Sequence, residues 1–150
     1  MEKERIAILK AEIEAQSNEI EKIYGRLDER SKKRGKAAAE SIGYQLHNLY
    51  CAFEDLFGIV AKTFENNIYD KGRYHLELLK RMTLAIKGVR PSLLSQEVFV
   101  LLDNLRSFRH FFRHAYSYDL DEKKVRIVLL DAEKLRKLYQ DDIGKFLENF

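Results

Sequence analysis

Hydrophobic residues recur along most of this chain at alternating steps of three and four, the spacing that places them on one face of an α-helix. The pattern predicts five helices, at about residues 3–31, 36–66, 74–87, 93–115 and 122–147. No segment alternates apolar and polar residues between turn signals, so no strand is expected. The predicted fold class is all-α, an up-and-down bundle of four to five helices.

The first two predicted helices are the longest, and each carries a continuous apolar seam. The seam of the first helix consists of Ile6, Leu9, Ile13, Gln16, Ile20, Ile23 and Leu27. The seam of the second consists of Ala39, Ile42, Leu46, Leu49, Phe53, Leu56, Val60 and Phe64. Because Gly35 is a natural helix stop between them, we predict a long antiparallel helical hairpin. Gln16, a polar member of its seam, either fixes register against a partner helix or is a tolerated polar residue at the seam edge.

Turn signals separate the other helices. Residues 66–72 (NNIYDKG) follow the second helix, and residues 88–92 (GVRPS) precede the fourth. Residues 30–36 (RSKKRGK) hold five cations at the corner of the hairpin. Such a run is usually a solvated loop, and in a protein that binds RNA it would add contacts to phosphates.

Composition indicates one globular domain over residues 1–150, with 45% hydrophobic residues, 34% charged residues and a net charge of +3. Any affinity for nucleic acid must therefore come from local clusters of charge. The single cysteine, Cys51, excludes an internal disulfide and is typical of a reducing cytoplasm. Its apolar neighbours predict a buried, unreactive thiol. We expect neither a membrane span nor a signal peptide, because apolar runs are short and the first residues are charged.

The richest chemistry lies in residues 106–116 (RSFRHFFRHAY), within the fourth predicted helix. On a helical wheel of about 100° per residue, the cationic and imidazole side chains occupy one arc of roughly 140°, and the phenylalanines occupy the other side. The members of that arc are Arg106, Arg109, His110, Arg113 and His114. A face of this kind fits a phosphate whose protons must be moved, although most arginine-rich helix faces are simply solvated.

The same segment also contains a spacing that is typical of metal sites. His110 and His114 have the i, i+4 spacing of metal ligands. No cysteine lies near them, no HExxH-type carboxylate lies between them, and the surrounding arginines would repel a cation. We therefore expect neither a metal nor another cofactor.

Arg109, His114 and Tyr116 form an RxxxxHxY pattern that resembles the motif of HEPN-domain ribonucleases, specifically the HepT-like toxins. His110 matches the polar position that follows the motif arginine in that family. The acidic turn after Tyr116 and the long closing helix also match. The resemblance is sharpest over about residues 95–147 and is architectural before them. The chain departs from the family in its extra cations and in a longer, more charged first helix.

The resemblance implies a HEPN-like bundle and a metal-independent endoribonuclease toxin of a type VII-like toxin–antitoxin pair. In such an enzyme RNA supplies its own nucleophile, the 2′-hydroxyl. His114 would then transfer protons, and Arg109 would bind the scissile phosphate. His110 is a second candidate for proton transfer or for orienting that phosphate. Arg106 and Arg113 would bind flanking phosphates.

The resemblance also implies partners. HEPN domains dimerise so that two motifs face one cleft, so we expect a homodimer with a composite site. In HepT-like toxins the tyrosine that matches Tyr116 receives AMP from an MNT-type nucleotidyltransferase antitoxin, and the added phosphate would compete with RNA for the cations. Two other functions remain open. One is a non-catalytic HEPN subunit that binds nucleotide or substrate for a nucleotidyltransferase partner, and the other is a helical scaffold that associates through its first helix.

Overall fold

The computed structural model describes residues 2–65, 74–117 and 119–150. The helices are α1 (Lys3–Arg30), α2 (Lys36–Phe64), α3 (Tyr74–Arg81), α4 (Gln96–Arg113) and α5 (Glu122–Leu147), and a 3-10 turn, Ala115–Ser117, joins the last two. Within those ranges there is no strand, only an isolated antiparallel bridge between Ile86 and Arg90. The predicted all-α bundle is therefore confirmed. None of the described helices combines the length and the apolar character needed to cross a membrane.

The helices α1 and α2 form the predicted antiparallel hairpin. Near one end, Arg5 donates to the carbonyl of Thr63 at 2.8 Å, and midway along, Gln16 Nε2 donates to the carbonyl of Ala52 at 2.8 Å. The helix that Gln16 pairs with is therefore α2 of the same chain. Gly35 stands at the corner with φ of +99°, in the left-handed region that favours glycine.

The cationic corner is held against the start of α5. Arg126 donates to the backbone carbonyls of Ser31 and Lys33, and the backbone N–H of Gly35 donates to Glu122 Oε2 at 3.3 Å. These bonds satisfy backbone groups that a free loop would leave to water. The lysine side chains of the corner remain exposed.

Aromatic side chains fill the space where α1, α2 and α5 meet. Tyr24 stacks on Tyr139 with ring centroids 6.3 Å apart, and Phe53 meets Tyr139 edge-on at 5.1 Å. The Tyr24 hydroxyl donates to the carbonyl of Ala132, and the Tyr139 hydroxyl donates to Glu21. Each tyrosine thus buries its ring while its hydroxyl keeps a partner, which fixes these helices relative to one another.

The predicted third helix was too long, because it ends at Arg81 instead of continuing to about residue 87. Arg90 folds back over the end of α3 with its side chain fully buried. Its guanidinium donates to the carbonyls of Arg81 and Leu84 and to Glu65 Oε1 at 2.9 Å. Gly88, with φ of +79°, allows the chain to reverse there. A buried side chain thus takes the place of the hydrogen bonds that a longer helix would make.

Two other boundaries of the predicted helices also shift. The fourth helix begins at Gln96 instead of about residue 93, because Ser95 caps it and its Oγ accepts from the backbone N–H of Val98 at 3.3 Å. Asp142 of α5 holds Ser95 in place through a bond of 2.9 Å to that hydroxyl. The second helix ends at Phe64 instead of about residue 66. The turn predicted at residues 66–72 lies outside the described residues.

A glycine of α2 allows the C-terminal part of α4 to pack closely against it. A Cβ atom built on Gly43 would lie 2.9 Å from Cε1 of Phe112 and 3.2 Å from Cδ1 of Leu120. Real Cβ atoms essentially never approach another heavy atom as closely as 2.9 Å. The same atom on Gly58, farther along α2, would meet nothing within 4 Å. The position of Phe112 therefore depends on the missing side chain at Gly43.

We expect Gly43→Ala to be less stable than Gly58→Ala by at least about 1 kcal/mol. Alanine is favoured over glycine in a helix interior by roughly 1 kcal/mol, so Gly58→Ala should gain stability. At Gly43 the added methyl group displaces Phe112, which opposes that gain. Urea unfolding of both variants and the parent measures the difference. Equal gains in the two variants would show that Phe112 does not depend on Gly43.

Candidate active site

The motif segment starts on α4 but leaves the helix before its last residues. The helix ends at Arg113, and His114 is the C-cap, with φ of −107° and ψ of 7°. The last turn tightens, because the backbone N–H of His114 donates to the carbonyl of Phe111, three residues earlier. Tyr116 then lies on the 3-10 turn. The predicted helix to residue 115 was therefore wrong at this end, and the helical-wheel positions of His114 and Tyr116 do not apply.

Arg109 is half-buried and contacts side chains of two other helices. Its Nε donates to Cys51 Sγ on α2 at 3.3 Å, and its Nη1 lies 3.5 Å from Nε2 of His75 on α3. The other ring nitrogen of His75, Nδ1, lies 2.7 Å from Glu54 Oε2 on α2. We call these four residues the Arg109 cluster. The sequence singled out the arginine as a site residue but neither the glutamate nor the histidine.

Arg109 and Arg106 differ in the charge of their described partners. Across residues 2–65, 74–117 and 119–150, no carboxylate lies within salt-bridge distance of its guanidinium. Arg106 differs, because its Nε donates to Asp103 at 2.8 Å. A guanidinium held by a thiol and an imidazole keeps its attraction for an incoming anion.

The prediction of a buried thiol at Cys51 was wrong. The side chain is half-buried, and its sulfur accepts the hydrogen bond from Arg109. It lies just off the apolar seam of α2, between Tyr50 and Ala52, on the side that faces α4. A run of apolar neighbours does not bury a residue at the edge of a helix face.

A further histidine, His47, lies one turn before Cys51 on α2. Its ring packs on that of Phe112 with centroids 5.8 Å apart. Partial burial lowers the pKa of His47 below the ordinary 6.5, and the charges of Arg109 and Arg113 lower it further, against a hydrogen bond with Asn48 that raises it. Near neutral pH this imidazole is therefore uncharged and able to accept a proton.

His110 and His114 lie together at the end of α4. Their ring centroids are 4.8 Å apart, and both side chains are exposed, as is that of Arg113. Within the part of the chain that the structure describes, no hydrogen bond, ion pair or ring contact joins Arg109 to His114. One protomer thus holds the motif histidine at its surface and the motif arginine against α2 and α3.

Tyr116 is the most exposed large hydrophobic side chain among the described residues. It is 92% exposed on the turn that follows α4. Because so much of the side chain is exposed, a second protein can reach its hydroxyl. In the described ranges no group of three or more histidine, cysteine, aspartate and glutamate side chains is arranged to hold a metal ion.

Sequence reasoning missed His47, Glu54 and His75. A signal existed for two of them, because His47, Cys51 and Glu54 recur at helical spacing beside the apolar seam of α2. A polar stripe next to a core face often contacts a neighbouring helix. For His75 there was no such signal, because its contact with α2 depends on how the chain folds back after α2.

We expect the pKa of His47 to lie below 6.5 and to rise in Arg113→Gln, because that change removes one nearby cation. An NMR titration of the ring measures it, and Lys10→Gln, on the exposed side of α1, is the control that should leave it unchanged. Since the folded pKa is the lower one, the unfolded chain binds more protons below 6.5. The contribution of His47 to stability is then complete above pH 6.5 and is lost as the pH falls toward the folded pKa. A pKa at or above 6.5 would contradict this account.

The chain matches a known protein family over most of its length. A family model described as HepT-like protein matches residues 41–150, the greater part of the chain. The matched range includes the Arg109 cluster and the whole motif from Arg109 to Tyr116. Comparisons with curated proteins and with solved structures give no significant match. With an all-α bundle and a match over more than half of its length, the chain belongs to the HepT-like family.

Proposed function

We propose that residues 1–150 form a single HEPN domain that acts as a metal-independent endoribonuclease toxin in the cytoplasm. The observation that carries the proposal is the complete Arg109-x4-His114-x-Tyr116 motif in a member of the HepT-like family. The surroundings of Arg109 support it, because the guanidinium is held by Cys51 and His75 and, among the described residues, no carboxylate lies within salt-bridge distance of it.

The proposed reaction needs no group beyond the chain and its RNA. The 2′-hydroxyl attacks the neighbouring phosphorus, the bond to the 5′-oxygen breaks, and a 2′,3′-cyclic phosphate and a 5′-hydroxyl form. Arg109 neutralises charge on the phosphate, and His114 gives a proton to the departing 5′-oxygen. His110, whose ring lies beside that of His114, helps to orient the phosphate or shares the proton transfer.

Two more arginines extend the surface that would bind RNA. Arg113 is exposed and is the stronger candidate for a flanking phosphate. Arg106 is half-buried and already bonded to Asp103, so it would have to share its charge with that carboxylate. Neutralising several phosphates makes binding weaker as salt rises, which is expected of a site of this composition.

A homodimer would bring Arg109 of one protomer close to His114 of the other. No described contact joins Arg109 to His114 within the chain, so a composite cleft would take its arginine and histidine from facing copies. Exposed apolar side chains support association, since Phe111 within the motif segment is 48% exposed, and Ile127 and Leu130 on α5 are 60% and 56% exposed. Exposed apolar surface of this kind often marks an interface between proteins.

The partner of the toxin would be an MNT-type nucleotidyltransferase antitoxin that transfers AMP to Tyr116. The exposure of that side chain supports this assignment, because the hydroxyl must enter the active site of another enzyme. An added phosphate near the motif cations would repel RNA and occupy the charges that RNA needs. The toxin would then be neutralised by the negative charge and the size of the AMP group.

Of the two alternatives, the scaffold loses its main support in the structure. The seam of α1 is buried within the chain, with Leu9, Ile13 and Leu27 all 1% or 2% exposed. That seam therefore serves the core of the bundle and cannot also recruit a second helix. The non-catalytic subunit remains the second candidate function. Failure of the purified protein to cleave RNA would favour it.

We expect the purified protein to cleave RNA in the presence of EDTA, and Arg109→Ala and His114→Ala each to lose about 10²-fold or more in rate. Gel analysis of labelled RNA measures the cleavage. In a composite cleft, a mixed dimer of the two variants keeps one arginine and one histidine, so mixing them should restore part of the activity.

The control for that experiment is Lys10→Gln, an exposed change on α1 that should leave cleavage unaltered. Full cleavage by both single variants would remove the nuclease function. Activity that is lost in each variant and not recovered on mixing would place the site within one protomer.

We expect Tyr116 to carry AMP when the chain is co-expressed with its nucleotidyltransferase, as read by mass spectrometry of the peptide that contains it. Tyr116→Phe should remain unmodified and toxic. Tyr44→Phe is the matched control, because Tyr44 is also well exposed, at 55%, and its loss should leave modification intact. A neutralised complex with unmodified Tyr116 would instead indicate inhibition by binding.

A further inference from the structure

Glu54 and His75 form a carboxylate–imidazole pair beside the motif arginine. Glu54 Oε2 lies 2.7 Å from His75 Nδ1, and the glutamate side chain is only 10% exposed. The His75 side chain is 41% exposed, so part of it remains open to solvent. Its second nitrogen, Nε2, lies 3.5 Å from Nη1 of Arg109. The pair joins α2 to α3 and faces α4.

The chemistry of these neighbours favours one tautomer of the neutral His75 ring. Arginine has only donors, so the nitrogen of His75 that faces Arg109 must offer a lone pair. The carboxylate of Glu54 has only acceptors when it is ionised, so the proton belongs on Nδ1. In the neutral ring this tautomer has Nδ1–H donating to Glu54 and the lone pair of Nε2 directed at the arginine. A carboxylate that holds a histidine in this way prepares it to accept a proton.

We propose that His75, oriented by Glu54, is the general base that removes the proton from the 2′-hydroxyl of the ribose whose phosphate Arg109 binds. This inference rests on the nuclease function proposed above and assigns one step of that reaction. The contact between Nε2 and Arg109 is at the long limit of a hydrogen bond, so it is readily exchanged for a hydroxyl donor.

The position of the 2′-hydroxyl in RNA makes the step feasible. That hydroxyl lies next to the phosphate it attacks, so a phosphate on Arg109 brings it close to Nε2 of His75. Nε2 takes the proton while the 2′-oxygen bonds to phosphorus. The bond from phosphorus to the 5′-oxygen breaks, and His114 gives that oxygen its proton. The carboxylate of Glu54 stabilises the imidazolium that forms.

His47 is the other imidazole on this side of α4, and its surroundings are different. Its ring packs on Phe112, and its Nδ1 lies 4.0 Å from Cys51 Sγ. In the described part of the chain no carboxylate is bonded to it. His47 therefore lacks the partner that would orient it and stabilise its charged form. His75 has that partner and also contacts the arginine directly.

The test separates a base from a group that only positions Arg109. His75→Gln keeps an oxygen that accepts a hydrogen bond from Arg109 but takes up no proton. We expect this variant to lose about 10²-fold or more in kcat on RNA, with a nearly unchanged KM. Glu54→Gln should also lower kcat, while Asp55→Asn, an exposed carboxylate change at the next position of α2, should not. Thermal unfolding confirms that each variant is folded.

A modified substrate identifies which proton is moved. The probe is a set of DNA oligonucleotides, each with one ribonucleotide, in which sulfur replaces the 5′-oxygen of the scissile bond. The thiolate departs without a proton, so His114→Ala should recover most of its activity on this probe. His75→Gln should remain as slow as on RNA, because the 2′-hydroxyl must still lose its proton.

The experiments distinguish a wrong role for His75 from a wrong assignment of nuclease activity. No cleavage of RNA by the unaltered protein would overturn the proposed function, and this inference with it. Cleavage by His75→Gln at the parent rate would overturn only the role of His75. Recovery of His75→Gln on the sulfur probe would make it the acid and not the base. A raised KM with unchanged kcat would leave it as a positioning residue for Arg109.

Discussion

The contact between Phe112 and Gly43 is the constraint on which the geometry of the site depends. Phe112 can lie against α2 only because glycine leaves space there. Arg109 lies three residues before Phe112, so both project from nearly the same side of α4. The α2 residues that follow Gly43 at helical spacing are His47, Cys51 and Glu54, and they form the surface that α4 meets. A packing contact without charge thus accompanies the close approach of α4 to the polar groups of α2 beside the motif arginine.

The arginines of this protein fall into two groups that differ in their partners. Arg90 is buried with Glu65, and Arg136 binds Glu21 and Asp28, so both join elements of the bundle through fixed ion pairs. Arg109 is held instead by a thiol and an imidazole. A carboxylate in direct contact would have offset the charge, whereas Glu54 acts through His75. Arg90 and Arg136 are therefore paired with carboxylates within the fold, whereas the described contacts of Arg109 are with a sulfur and a ring nitrogen.

The motif residues before and after the end of α4 have different surroundings. Arg109 belongs to a helix that is packed on its neighbours, and its position is set by that packing. His114 and Tyr116 lie beyond the helix, where the chain turns toward α5, and their side chains meet solvent. Groups at such a surface are the ones that a second copy or a modifying enzyme can reach. A rigid arginine and accessible partners for it are what a composite site requires.

The sequence by itself determined the helices, the hairpin and the motif, because the spacing of apolar residues and the glycine at position 35 act locally. It predicted α5 at the bounds that the structure gives, and it supplied the motif pattern of Arg109, His114 and Tyr116 as a hypothesis. Only the tertiary structure decided that α3 stops early, since the reason is a buried Arg90 that arrives from the following loop. Only the tertiary structure places His75 beside Arg109, with Glu54 on the other side of the imidazole ring. Contacts between α2, α3 and α4 join residues far apart in the chain, and no local pattern records which side chains will meet.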